Sequence, residues 1–572
     1  MPFDPLNPGD MENSRRPVRR DGAPRRPGNP SGGNSRSAAG NSAGPRKGAG
    51  SAPRSRSTEN LPARRTPARV PGRANPGNRR RPSGKGGYQP KYAAPKGHSR
   101  NKKSNLPLIL LILVLAIASA GLIAACIHMA GGGEKTNEIP QADITVTPEQ
   151  QPSQQEEKSP ETTSEPLPEL VSTAKITVTG DLLPHKTVYG TGSIIYRDAQ
   201  DYNFDPLFKF LGGYADGADY SIANLETTLR GPDLPYSGNP KFNTPDQLVD
   251  SVKKSGFDML LTANNHCNDT DIAGVLRTVQ VIRDKGLTAL GTNLTHEEPK
   301  YHIEDLNGIK VGMLCYTYED SQNPNMVTLN YNPLPAKDQD LVCTFPKFTN
   351  AKSRDPFYEG LADQISQMRS QGAEAIVLFV HWGEEYHLEA SQDQRDMAQK
   401  FCDMGIDLVV GGHPHVVEPV ELLTSTQDPS HKMVCLYSLG NAFSNQRREE
   451  MQSQPSGHTE DGMLFNFTFK KYSDQSVYLS HVEVIPTWVD KHSRNQEQKR
   501  EYNILPLDNE KRGEWQSLYA LDDAAYQNAI ASYDRTMAIV GEGLKASNEW
   551  LSQRLPETAG TGETGSTAEI AR

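Results

Sequence analysis

Five short segments of the chain carry residues able to hold a metal ion or move a proton, and each follows a run that reads as a buried strand. They are Gly180-Asp181, Asn224-Leu225-Glu226, Ala263-Asn264-Asn265-His266, His381-Trp382-Gly383 and Gly411-Gly412-His413-Pro414-His415. In proteins that alternate strands and helices, ligands collect beyond the carboxyl ends of the strands, so five such endings can converge on one crevice. Asp181, Glu226, Asn265, His381, His413 and His415 together offer oxygen and imidazole donors. That mixture suits divalent Mn, Zn or Fe better than Ca, which takes oxygen alone, or structural Zn, which favours thiolate. A carboxylate can bridge two ions, and two ions ~3.5 to 4 Å apart stabilise both the attacking and the leaving oxygen of a phosphoryl group. The chemistry implied is hydrolysis.

Taken singly, an Asp after a strand is ordinarily a turn residue and a buried His is ordinarily hydrogen-bonded core. Gly-Gly-His-Pro-His is harder to place that way, because Pro414 restricts the backbone between two imidazoles and the glycines permit close approach. Its occurrence together with His381 and Asn265-His266 points to a metal site, present or ancestral.

The elements that must position these residues are legible as apolar runs. Lys175 to Thr179 alternates and stops at Gly180-Asp181, Asp219 to Ala223 precedes Glu226, and Phe257 to Thr262 precedes the Asn-Asn-His run. The spacing of Val275, Val279 and Ile282 predicts a helix over 272–285, stopped by Gly286. Tyr301 to Ile303 and Lys310 to Tyr316 read as a hairpin around Asn307-Gly308, since Asn-Gly supplies the positive φ angles of a two-residue turn. Ala375 to Val380, a helix from Gln392 to Met404, and Asp407 to Val410 repeat the strand-helix-strand theme. Met433 to Ser438, Leu464 to Phe469 and Val477 to Ile485 are late strands without helices between them. Alternation first and strands alone later predict two packed sheets with helices outside, a layered α/β sandwich over 173–510. Over 511–553 the apolar spacing of Trp515, Leu518, Tyr526, Ile530 and Tyr533 predicts one or two amphipathic helices, and 554–572 reads as a frayed tail.

Composition places this domain outside a membrane. Residues 1–105 hold 24 Lys and Arg against 5 Asp and Glu, a net of +19, which leaves −28 for residues 106–572 of the chain's −9. The basic arm has too few aliphatic residues to bury a core and is expected to be disordered. Leu106 to Ala130 is apolar except for Ser119 and His128, long enough at ~1.5 Å per residue to cross a ~30 Å hydrocarbon layer. Lys102 and Lys103 before it and Glu134 after it orient the arm to the cytoplasm and the rest to the outside, a single-pass anchor in the cell membrane. Ile123-Ala124-Ala125-Cys126 resembles a lipobox, which makes a lipid on Cys126 an alternative anchor. Residues 131–172, rich in Pro, Gln, Glu, Ser and Thr, read as a flexible linker.

Six cysteines, one of them in the apolar span, show no CxxC pairing, and the odd number beyond it argues against a disulfide framework. Cys315 and Cys435 read as small core residues. Cys267, next to His266, is the one cysteine near the chemistry and a weak candidate for the metal. The acidic exported part offers no basic groove for nucleic acid; the basic arm could meet anionic lipid or RNA, though it reads first as a solvated segment. Leu555-Pro556-Glu557-Thr558-Ala559 is close to a sortase signal but lacks the apolar stretch and basic tail that would follow, and is read as coincidence.

Together, Gly180-Asp181, Asn224-Leu225-Glu226, Ala263 to His266 with Asp269 and Gly274, His381 to Tyr386, Gly411 to His415 and Tyr437-Ser438-Leu439-Gly440-Asn441 resemble the CapA family of capsule-biosynthesis proteins, a branch of the calcineurin-like metallophosphoesterase superfamily. The resemblance, over Gly180 to Gln446, implies a four-layer α/β/β/α fold, an exported anchored domain, and association with poly-γ-glutamate or a related cell-envelope polymer. It also implies roles. Asp181 is similar to the carboxylate of the first of two ions, Glu226 stands at the bridging carboxylate, Asn265, His381 and His413 would hold the second ion and His415 the first. His266 resembles the histidine that protonates the leaving group. Two departures stand out: Leu183 occupies a place where the superfamily has a metal-binding histidine, for which His185 is a possible substitute, and Glu226 replaces Asp. Ala442 also interrupts the usual Asn-Phe. Two functions remain open, a metal-dependent hydrolase of a phosphoester or amide in an envelope polymer, and a non-catalytic accessory protein beside a membrane synthase.

Overall fold

The computed structural model describes residues 167–197 and 201–556. The basic arm (1–105), the apolar span (106–130), most of the linker and the tail beyond 556 lie outside the described residues. Among the described residues, no helix is long and apolar enough to cross a membrane.

Two mixed sheets carry the domain. In the first, the order is Glu501–Pro506, Val477–His492, Asp461–Tyr472, Leu170–Leu182, Tyr220–Leu225, Met259–Leu261 and Thr288–Leu290, with Asn441–Phe443 pairing beside Leu170–Leu182. In the second it is Val420–Thr424, Lys432–Leu436, Leu408–Gly412, Ala375–His381, Ile309–Glu319 and Tyr301–Leu306, with Thr344–Pro346 beside Ile309–Glu319. The strands that carry the candidate residues run parallel to one another within each sheet. Their carboxyl ends therefore share one edge.

The alternation of side chains explains the layers. Ile176, Val178, Ile222, Met259 and Leu261 of the first sheet meet Val311, Met313, Val377, Phe379 and Val410 of the second in one central core. On the opposite faces, Ala223, Leu225 and Leu260 pack on Val252, Val279 and Ile282 of the helices Gln247–Lys254 and Asp271–Asp284. Ile376, Leu378 and Val380 pack on Leu361, Ile365, Met397 and Phe401 of the helices Asp355–Ser370 and Gln392–Asp403. Because strands such as Ala375–His381 are buried on both faces, their sequences are continuous apolar runs rather than alternating ones. Helices, sheet, sheet and helices stack in that order.

Several boundaries move. The first strand starts at Leu170, inside the segment assigned to the linker, because Leu170 to Thr179 pair antiparallel with Tyr472 to Leu464. The turn Asn307-Gly308 has both φ angles positive, 56° and 85°, and joins strands longer than the apolar runs suggested, Tyr301–Leu306 and Ile309–Glu319. The C-terminal region forms Trp515–Leu518 and the long helix Asp523–Arg554. Val540, Leu544 and Leu551 of that helix join the central core, so 511–553 is part of the same body as 173–510 and not an appendage to it. A side chain at Gly543 would sit 1.8 Å from the carbonyl oxygen of Val420; glycine lets the helix lie against the edge strand.

Candidate metal centre

The first sheet delivers Asp181, at the end of its strand, beside Asn224 of the neighbouring strand and Asn441 on the other side. That three-strand junction is tight. A Cβ on Gly180 would lie 1.9 Å from the carbonyl oxygen of Gly440, so glycine at 180 is what allows the strands to close behind Asp181. From the second sheet, His381 ends its strand opposite Gly412, and the chain continues into His413 and His415. Both histidines adopt positive φ, 99° and 58°. Left-handed backbone costs a non-glycine residue of order 1–3 kcal/mol and persists where surrounding structure holds it, often at functional sites.

The side chains converge. Ligand atoms of Glu226, His381 and His413 lie within 4.8 Å of one another, and so do those of Asp181, Glu226 and His415; all five residues are buried and Glu226 is common to both groups. Nδ1 of His415 is 3.2 Å from Oδ2 of Asp181 and 3.8 Å from Oε2 of Glu226. Nε2 of His381 is 3.4 Å from Oε1 of Glu226 and 2.8 Å from Oδ1 of Asn265. The six donors expected from the sequence thus meet at one point of the fold.

Whether these residues fit a divalent cation can be tested on their hydrogen bonds. Both oxygens of Glu226 are buried and accept none, and Nδ1 of His413 is equally unpartnered. An unsatisfied carboxylate in the interior is expensive, and such groups are normally paired or bound to metal. Burial, then the Asp181 and Glu385 carboxylates, push the Glu226 carboxyl well above its ordinary range. Burial would also raise Asp181, but the hydrogen bond from His415 and the nearby imidazoles hold it below the usual value. Burial lowers His381 to about 3 and, with the neighbouring imidazoles, takes His413 well below the ordinary value. Against the pull of burial, His415 is raised by its contact with Asp181. Neutral imidazoles at 381 and 413 around a carboxylate without partners are a donor set that accepts a cation.

His266 is placed beside this centre, with Nδ1 2.7 Å from Oδ2 of Asp269 and its ring edge-on to Phe242 at 4.8 Å. Asp269 is itself held by the backbone N–H of Phe242 and the side-chain amide of Asn330. His185 is not in either donor group: its Nδ1 accepts from the backbone N–H of Asn445 at 3.3 Å, its ring packs on Phe242, and burial lowers it to about 4. Leu183 is buried. Cys267 is removed from the metal question, since it faces Val275, Val327 and Leu329 in a small apolar cluster and burial pushes its thiol up to about 12.

Some contributors were not assigned roles from sequence. Asn224 donates to Oδ1 of Asp181 at 2.7 Å, and Asn264 donates to the carbonyl of Leu225 at 2.8 Å, so both asparagines brace the carboxylates. Tyr318 lies parallel to His381 and edge-on to His413, and Nζ of Lys347 sits 4.6 Å above its ring. Asn265, His413, Tyr318, Lys347, Glu385 and Tyr386 border a cleft of about 570 Å³ that opens from the centre. Tyr318 lies in the strand Ile309–Glu319 and Lys347 directly follows Thr344–Pro346, and no local pattern announces them.

Two facing sheets that bring a shared buried carboxylate between two imidazole-bearing groups define an α/β domain with a candidate divalent-metal centre. Residues 175–446 match the family described as bacterial capsule synthesis protein PGA_cap. The chain is 26% identical over 261 residues to the PGA biosynthesis protein CapA of Bacillus subtilis (strain 168), covering 44% of this chain and 60% of that one. It is 24% identical over 278 residues to the capsule biosynthesis protein CapA of Bacillus anthracis, covering 46% and 58%. The match thus spans about three fifths of the length of these relatives. Among solved structures, the calcineurin-like phosphoesterase YfkN from Bacillus subtilis aligns over 64% of this chain and 98% of its own, with 14% identity and a TM-score of 0.31.

Proposed function

We propose that this protein acts in the synthesis or export of an anionic cell-envelope polymer of the poly-γ-glutamate type, as a membrane-anchored extracellular metal-dependent hydrolase. The observation that carries the proposal is Glu226, buried between two donor groups with neither oxygen satisfied. Asp181, Glu226 and His415 would hold one divalent ion and Glu226, Asn265, His381 and His413 a second, with Mn, Zn or Fe suited to the donors. When bound, such ions polarise a phosphoryl or carbonyl oxygen and lower the pKa of water. Around them the chain orients and protonates. Asp269 fixes Nδ1 of His266, which leaves Nε2 as the nitrogen that can deliver a proton to a departing group. A polymer segment would enter by the cleft beside Asn265 and His413, whose wall carries Lys347, 3.6 Å from Glu384, together with Asp320 and Glu385.

Leu183, buried where the superfamily carries a histidine, favours a second role, in which the domain guides the polymer for membrane synthase subunits without cleaving it. One pair of variants separates the two. His266→Asn should keep metal and lose roughly 10² to 10⁴ in turnover, most on substrates whose leaving group needs a proton, while Asp181→Asn loses metal and activity together. Full polymer production in cells carrying His266→Asn, with production abolished by Asp181→Asn, would instead assign the accessory role.

A further inference from the structure

The candidate site of Asp181 and His415 has one more oxygen aimed at it. Oδ1 of Asn441 lies 3.1 Å from Nδ1 of His415, at the same distance within a tenth of an ångström as Oδ2 of Asp181. The amide cannot be turned over without loss. Its Nδ2 donates to the backbone carbonyls of His415 at 3.2 Å and Thr459 at 3.0 Å and to Oε1 of Gln446 at 3.0 Å. Reversal would set the amide oxygen against two backbone carbonyls that can only accept. The side chain is fully buried, and the strand Asn441–Phe443 holds it in register with Asp181, which also donates its N–H to the carbonyl of Gly440.

With Leu183 supplying no donor and His185 turned to the backbone of Asn445, the Asp181 group is short of ligands on one side. A neutral amide oxygen suits the same hard divalent ions as a carboxylate, and Asn265 offers the equivalent atom at the other group. We infer that Asn441 is a ligand of the first ion, its carbonyl oxygen taking the coordination position that Leu183 leaves unfilled. The inference rests on the metal reading of the site, and adds to it a residue that binds rather than braces.

The test is a manganese titration of the full chain, stripped with chelator, followed by calorimetry for the wild type, Asn441→Ala and His381→Ala. Removal of a direct ligand should weaken one manganese site by more than the roughly 10- to 100-fold that outer partners are worth. The other site, weakened in His381→Ala, should be unchanged in Asn441→Ala. Unchanged affinity at both sites, or equal weakening at both, would make Asn441 a tie between strands and overturn the inference. Should Asn441→Ala fail to fold, manganese-soaked wild-type crystals decide. An ion bonded to Oδ1 supports the assignment, and an ion at His415 out of bonding reach of Oδ1 refutes it. Wild-type protein that takes up no manganese, zinc or iron removes the metal site itself, and this ligand with it.

Discussion

Replacing Glu226 by Gln should change the stability of the protein in opposite directions with and without metal. The Glu226 carboxyl is fully buried, its two oxygens lack hydrogen bonds, and burial followed by the Asp181 and Glu385 charges raises it well above its ordinary value of 4.5. The metal-free fold therefore favours the protonated carboxyl relative to the unfolded chain. A raised folded-state value means that stability is fully present below about pH 4.5 and is lost as pH climbs. Each pH unit between the unfolded and the folded value is worth about 1.4 kcal/mol of stability. Gln has the same shape and cannot ionise, so in chelator the variant should melt higher than wild type at pH 7, by an amount that vanishes near pH 4.5. With manganese at a hundredfold its dissociation constant, the wild type gains about 2.7 kcal/mol that the variant, lacking the shared carboxylate, largely forfeits. Thermal melts of both proteins in chelator and in manganese, from pH 4.5 to 8, read all four cases. A variant less stable than wild type in chelator at pH 7, or a gap independent of pH, would refute the claim that Glu226 is an unpaired carboxylate awaiting a cation.

His381→Ala and His413→Ala should each lower bound metal while leaving the fold intact, because both side chains sit at strand ends above the packed sheets; elemental analysis with circular dichroism checks both, and unchanged metal in the two variants would return these histidines to the core. Protease added to intact cells should cut within 131–172 and release a soluble domain, as the charge step across 106–130 predicts. Protection of that segment with digestion of the basic arm would reverse the orientation.

The candidate donor residues, and most of the strands that present them, were legible in local sequence. Runs such as Ala375 to Val380 are apolar throughout because both faces are buried, and each ends where the backbone leaves the sheet and a polar side chain can point into the crevice. Asn307-Gly308 made the hairpin legible because its positive φ angles are a local requirement. Tertiary structure alone decided what depends on distant partners. His415 meets Asp181 across 234 residues, and the role of Asn441 exists only because its strand lies beside Asp181 and its amide is held by Thr459 and His415. Tyr318 and Lys347 line the cleft through sheet order, which no local period encodes. The same reason separates His185 from the site although it lies four residues from Asp181: its imidazole is turned to the backbone of Asn445, a contact made by folding. Local patterns specify donors and element types, because side-chain periodicity is a property of the chain; which donors share an ion is set by strand pairing and by the satisfaction of buried polar atoms, which are properties of the packed whole.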